Sequence, residues 1–172
     1  YIGGIHDALQ HSHPAGIAAD FFNAAGQRAA ESAQNGTFKF EKVPFGTWVI
    51  REIQPAKGFV LNEKAYPVTV SEDGDVVNIQ LENRYIRGNI EGTKLDEDGN
   101  VIAGAVFGLF REGETEFTEK TAVRVTESDS TGKFRFEDIR YGKWIIRELK
   151  PATGYVLNET PFEVEITEDG KT

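Results

Sequence analysis

The chain has 172 residues, a net charge of −9, 18 glycines, no cysteine and no methionine. The length suits two domains of about 80–90 residues each, near the small end of what folds alone, and the missing cysteines exclude disulfides as staples for them. The acidity argues against nucleic acid, which would call for a basic stripe, and no apolar run approaches the ~20 residues of a membrane-spanning helix.

In chain order, the opening segment gives mixed signals. His6, His11 and His13 are spaced H-x4-H-x-H and could ligate zinc from one loop. Three histidines without a cysteine or a clear scaffold read better as solvated, so no metal and no cofactor is expected. The alanine-rich run 18–34 favours helix by propensity. No signal peptide is visible, and without an initiator methionine the chain reads as a fragment or a processed form.

From Phe38 the reading changes. FKFEKVPFGTWVIREIQPAKGFVLNEKAYPVTVSEDG, Phe38–Gly74, recurs as FRFEDIRYGKWIIRELKPATGYVLNETPFEVEITEDG, Phe134–Gly170, at a gapless offset of 96 with about half the positions identical. An internal repeat of this kind marks two copies of one folding unit. Period-two alternation predicts strands at Phe38–Phe40, Trp48–Glu52, Val68–Val70, Val77–Leu81 and Val164–Ile166. Asn35-Gly36, Asp73-Gly74, Asp98-Gly99-Asn100, Thr131-Gly132 and Asp169-Gly170 carry turn chemistry. The prolines of Gln54–Gly58 and Lys150–Gly154 end the central strands. The pattern predicts an all-β fold, two antiparallel sandwiches in tandem, with Trp48 and Trp144 at equivalent buried positions. The domains are placed at 1–87 and 88–172, joined near Asn83–Asn89 by a short, stiff junction. Gly92–Phe110 of copy two aligns weakly with Gly4–Phe22 of copy one. Setting Phe22 against Phe110 asks for a strand at Gly16–Phe22, against local propensity.

Alternation also aims polar groups inward. Glu52 shares a strand face with Trp48 and Ile50, and Glu148 with Trp144 and Ile146; Lys94 follows Ile90 and Gly92, and Asn83 follows Val77, Ile79 and Leu81. A buried unpaired charge is costly, so each needs a partner or a neutral form. Ion pairs of Glu52 with Arg51 or Glu148 with Arg147 are one solution, although alternation puts those arginines on the opposite face. Asp96-Glu97-Asp98-Gly99-Asn100 lacks the bidentate glutamate of a calcium loop and reads as a tight turn. Tyr141, Trp144 and Tyr155 read as packing residues before a carbohydrate platform. No nucleophile triad, phosphate loop or paired carboxylate cleft is recognisable.

The succession GTKLDEDG, AGAVFGLF, GKFRFEDIRYGKWIIRELKPATGY in copy two, with the terminal LEN of copy one, resembles the Cna B-type (SpaA-like, prealbumin-like) domains of Gram-positive surface adhesins and pilins. The resemblance covers copy two and about Asn35–Asn83 of copy one. It implies an inverse-Greek-key, Ig-like β-sandwich and a self-formed isopeptide bond between a first-strand lysine and a last-strand asparagine, promoted by the central-strand glutamate. Lys94 and Asn83 are then the bonding residues, and Glu148 and Glu52 the catalytic ones. Burial disfavours charge, leaving a free amine as nucleophile and a protonated acid to polarise the amide.

The trio is incomplete in each copy. Copy one sets His6 where the lysine belongs. Copy two lacks the counterpart of Val77–Asn83, its asparagine falling at position 179, so an exposed sheet edge and an unreacted Lys94 amine are expected. The resemblance implies a non-enzymatic stalk or pilin-type module, extracellular and wall-anchored. Its partners would be neighbouring domains, with no nucleic acid and no membrane. The alternative is an adhesin module recognising a host protein or glycan.

Overall fold

Five left-handed backbone positions recur 96 residues apart: Gly36 and Gly132, Lys42 and Asp138, Gly46 and Gly142, Gly58 and Gly154, Gly74 and Gly170. The repeat is therefore built into the backbone, down to a lysine and an aspartate held at φ 52° and 57°. The computed structural model describes residues 18–23 and 26–172, and side chains from Arg28 onward. Within them every named element is a strand, and no helix is long and apolar enough to cross a membrane. The chain divides into two units, 1–84 and 85–172.

In unit 1, β1 (Ala18–Asn23), β2 (Gly26–Glu31), β3 (Gly46–Gln54) and β4 (Tyr66–Val70) form one antiparallel sheet in the order β2-β1-β3-β4. In unit 2, β6 (Val106–Arg111), β7 (Arg124–Glu127), β9 (Gly142–Lys150) and β10 (Phe162–Ile166) form a sheet ordered β10-β9-β6-β7. Its second layer is β5 (Arg87–Thr93) paired with β8 (Lys133–Arg140). Both four-stranded sheets share a register. Phe22 faces Val49 as Phe110 faces Ile145, and a bulge follows Ala18 in β1 as it follows Val106 in β6. Pairing with a central strand thus overrides the helix preference of the alanine-rich run, because the ladder satisfies backbone groups that the repeat geometry leaves open. Gly16 and Ile17, at the start of the expected strand, lie outside the described residues.

Each core sits under its tryptophan. Trp48, Ile50 and Val68 form the buried centre of unit 1, with Phe38, Phe40, Ile79 and Leu81 packed against it. Ile90, Phe107, Leu109, Phe136, Trp144 and Ile146 belong to the centre of unit 2. The indole N–H groups are used identically: Trp48 Nε1 donates to Pro44 O and Trp144 Nε1 to Arg140 O, both at 2.9 Å.

Two predicted strands are corrected. Phe38–Phe40 and Val77–Leu81 are not ladder strands. Phe134–Phe136, the counterpart of the first, is a strand because β5 pairs with it; the partner of Phe38–Phe40 would align with the opening residues, outside those described. The second keeps the alternation without the ladder only from Ile79 onward; Val77, expected on the same inward face, is 46% exposed. Ile79, Leu81 and Asn83 are partly buried, while Asn78, Gln80 and Glu82 are exposed. Side-chain burial, not strand pairing, holds this segment down.

Candidate functional site

The central strand places a carboxyl inside each unit. Along β9, Trp144, Ile146 and Glu148 are buried while Lys143 and Lys150 are exposed; β3 buries Trp48, Ile50 and Glu52 in the same rhythm. Both glutamates are among the few buried polar residues described.

In unit 2, Glu148 meets Lys94. Nζ of Lys94 donates to Oε2 of Glu148 at 3.1 Å, with side-chain exposures of 15% and 1%. The same Oε2 accepts the Asn158 backbone N–H at 3.0 Å, while Oε1 is buried with no partner. Lys94 follows directly after β5 and is pinned by its backbone: its N–H donates to Gly132 O at 2.7 Å, and its carbonyl accepts Ile102 N–H at 2.9 Å. Gly132 sits at φ 74°, and a Cβ there would lie 2.7 Å from Lys94 O, so the lysine turn requires glycine as its neighbour.

In unit 1, Glu52 meets Asn83. The Asn83 amide nitrogen donates to Glu52 at 2.8 Å to Oε1 and 2.7 Å to Oε2, and to Val60 O at 3.0 Å. Asn83 Oδ1 is buried without a partner. Oε2 of Glu52 also accepts the Asn62 backbone N–H at 2.6 Å. The Asn62 side chain reaches Tyr66 Oη and Glu82 O, both at 2.9 Å, tying the last segment to the loop after β3.

Each unit therefore shows one half of the arrangement the sequence assembles. The glutamate holds the amide in unit 1 and the amine in unit 2. Neither glutamate pairs with its neighbouring arginine: the Arg147 guanidinium lies 4.8 Å from the Phe117 ring centroid, and the bonds of Glu52 described go to Asn62 and Asn83. Among the lysines of unit 1, Lys39 pairs with Glu41, Lys64 lies over Tyr66, and Lys42 and Lys57 are exposed. His6, His11 and His13 lie outside the described residues, and no cluster that could hold a metal is found among those described.

Sequence reasoning missed Asn62 and Asn158, whose backbone N–H groups fix the carboxyls. The signal was present: both stand in an identical Val-Leu-Asn-Glu run ten residues past their glutamate. The acidic turn after Lys94 is a side-chain-capped turn, since Asp96 accepts N–H bonds from Asp98 and Asn100 at 3.0 and 2.7 Å.

A family model described as SpaA, prealbumin-like fold domain, matches residues 17–85 and 88–172. Among solved structures, the chain is similar to the Bacillus anthracis TIE protein at 26% identity and a TM-score of 0.80, over 92% of this chain and 30% of that one. It is similar in fold to the C-terminal fragment of the pilus adhesin SpaC from Lactobacillus rhamnosus GG, at 13% identity and a TM-score of 0.53, over 98% and 80% of the two chains. A streptococcal ancillary pilin aligns at 23% identity over 92% of this chain and 56% of that one, with a TM-score of 0.42. The chain thus spans less than a third of the TIE protein chain. No curated protein sequence matches it.

Proposed function

The chain belongs to the family of SpaA prealbumin-like fold domains, and from that premise we propose that it is a structural tandem, a stalk or pilin-type module of a wall-anchored Gram-positive surface protein. Its sandwiches are of the kind closed by a Lys–Asn isopeptide bond under a buried glutamate. The observation that carries this reading is the 3.1 Å contact of Lys94 with a glutamate whose repeat equivalent holds an asparagine amide at 2.7–2.8 Å.

The chemistry suits the groups. The neutral Lys94 amine attacks the Cγ of an asparagine placed as Asn83 is placed in unit 1. A C–N bond forms to Nζ, the Cγ–Nδ2 bond breaks, and Nδ2 leaves as ammonia. The buried glutamate carries the proton from Nζ to Nδ2, the amide atom its carboxyl faces in unit 1. Each molecule does this once, so the activity is intramolecular closure and not turnover. The bond would restrain the unfolded chain as a disulfide does, by roughly 2–5 kcal/mol on that analogy, in a chain without cysteine.

Labelling of intact cells with an antibody, together with the intact mass of protein released from the wall, tests the proposal. Surface labelling and a mass short by about 17 Da, one ammonia, per bond are expected. An intracellular protein of full calculated mass would overturn it.

A further inference from the structure

Asn35-Gly36 is the one Asn-Gly dipeptide in the chain, and neither glutamate-centred site uses it. It lies on the exposed turn between β2 and the segment at Phe38. Gly36 N–H donates to Ala33 O at 2.8 Å and Ala33 N–H to Thr37 O at 2.9 Å, which closes the turn. Gly36 takes φ 77°, and no atom lies within 4 Å of where its Cβ would be, so nothing crowds the peptide bond after Asn35 from that side.

The asparagine carbonyl is polarised. Asn35 Oδ1 accepts the Thr37 backbone N–H at 3.1 Å and the Thr37 hydroxyl at 2.7 Å. Both donors address the oxygen that gains charge when a nucleophile adds to Cγ, so both contacts strengthen as that addition proceeds. The amide is not needed to fold the turn. Unit 2 makes the same turn with Thr131-Gly132, where Asp129 Oδ1 accepts the Thr131 N–H at 2.8 Å, the Thr131 hydroxyl at 2.7 Å and the Lys133 N–H at 3.0 Å. Unit 1 has Ala33 in the place of Asp129 and moves the acceptor to Asn35, directly before glycine.

We infer that Asn35 is a self-modification site, converted through a succinimide to aspartate and isoaspartate in the folded chain. Gly36 N attacks Asn35 Cγ. The N–Cγ bond forms, the Cγ–Nδ2 bond breaks, and Nδ2 leaves as ammonia with the proton of Gly36 N–H. Water then opens the ring. Attack at Cγ restores the main chain as aspartate; attack at the Asn35 main-chain carbonyl leaves Gly36 joined to Cγ as isoaspartate. Gly36 must first give up its bond to Ala33 O. One exposed backbone bond is a several-fold brake, and ring closure within a single dipeptide outweighs it because both reacting groups are already held together. Aspartate keeps the acceptor and adds a negative charge. Isoaspartate lengthens the main chain by one carbon and breaks the Ala33–Thr37 pairing. The turn is thus a marker of the age of the folded chain, whatever the glutamate-centred sites do.

The whole chain, incubated for weeks in mildly alkaline buffer and then mapped by peptide mass, tests this. The peptide carrying Asn35 should become about 1 Da heavier, split into aspartate and isoaspartate forms with ammonia released in equal amount, while the other asparagines stay intact. Trp48 fluorescence follows the fold through the incubation. Thr37→Val, which removes the hydroxyl donor and keeps the N–H, should slow the conversion several-fold. Ala33→Asp with Asn35→Thr, which rebuilds the turn of unit 2, should show no gain. The shift is opposite in sign to an ammonia loss at Lys94, so one spectrum reads the two independently. The inference is overturned if Asn35 keeps its mass, if the other asparagines convert as fast, or if Thr37→Val reacts at the wild-type rate.

Discussion

Nζ of Lys94 lies 3.1 Å from Oε2 of Glu148, joining the end of β5 to the middle of β9 inside unit 2. The two side chains are 15% and 1% exposed, so the contact is not screened as a surface pair would be. Breaking a buried pair from one side leaves the other polar group buried without its partner. Glu148→Leu and Lys94→Met alone should each destabilise unit 2 by about 3 kcal/mol, whereas the two together should recover most of the loss. Urea unfolding read by Trp144 in a Trp48→Phe background measures it. Strictly additive single effects would contradict the pairing.

Asn83→Ala removes the three donor contacts of its amide, two to Glu52 and one to Val60 O. The carboxyl of Glu52 then keeps only the Asn62 N–H among the bonds described. A loss of about 1–3 kcal/mol in unit 1 is expected, because a buried acceptor is left short of donors. Amide exchange at Val60, which bonds to Arg84 O, should accelerate first. Unchanged exchange there would show that burial of Ile79 and Leu81 holds the segment without the asparagine.

Lys42 and Asp138 occupy the same left-handed position in the two copies. Lys42 is exposed, so Lys42→Gly should stabilise unit 1 by ~1 kcal/mol through relief of the Cβ–carbonyl clash. Asp138→Gly should gain less, because it loses the carboxylate pair with Arg87 while Lys42 gives up no such contact. Thermal unfolding of the two variants decides it.

Asp129 is held below its ordinary 3.8 by the Thr131 hydroxyl, then by the backbone N–H groups of Thr131 and Lys133. A depressed carboxyl favours the folded state fully above its unfolded value and loses that contribution as pH falls through the folded one. Acidification from about pH 5 to about pH 2 should therefore erode the stability of unit 2 more steeply in the wild type than in Asp129→Asn. Parallel acid limbs would contradict the turn's role.

The repeat and the inward glutamates were legible because period two and a constant offset survive without any structure. The sequence identity fades before Phe38, yet the equivalence does not: Ser32 and Ser128 are both buried, and Ala33 N–H to Thr37 O matches Asp129 N–H to Lys133 O at 2.9 Å. Backbone bonds carry that correspondence, so side-chain identity could not reveal it. The ladder status of Val77–Leu81 was not legible for the converse reason. Alternation reports which side chains are buried, and says nothing of whether a neighbouring strand supplies hydrogen bonds. The carboxyl-fixing N–H groups of Asn62 and Asn158 were hidden because any residue but proline can donate one.

The most direct test of the glutamate-centred site is the intact mass of a chain extended after Thr172 by the sequence of Val77–Arg84. This graft continues the 96-residue register and sets an asparagine at position 179. The account predicts a mass about 17 Da below the calculated value, a proteolytic fragment joining Lys94 to that asparagine, and full mass in Lys94→Ala and Glu148→Ala versions. A folded extended chain of full calculated mass, with Lys94 still open to amine-specific labelling, would contradict it.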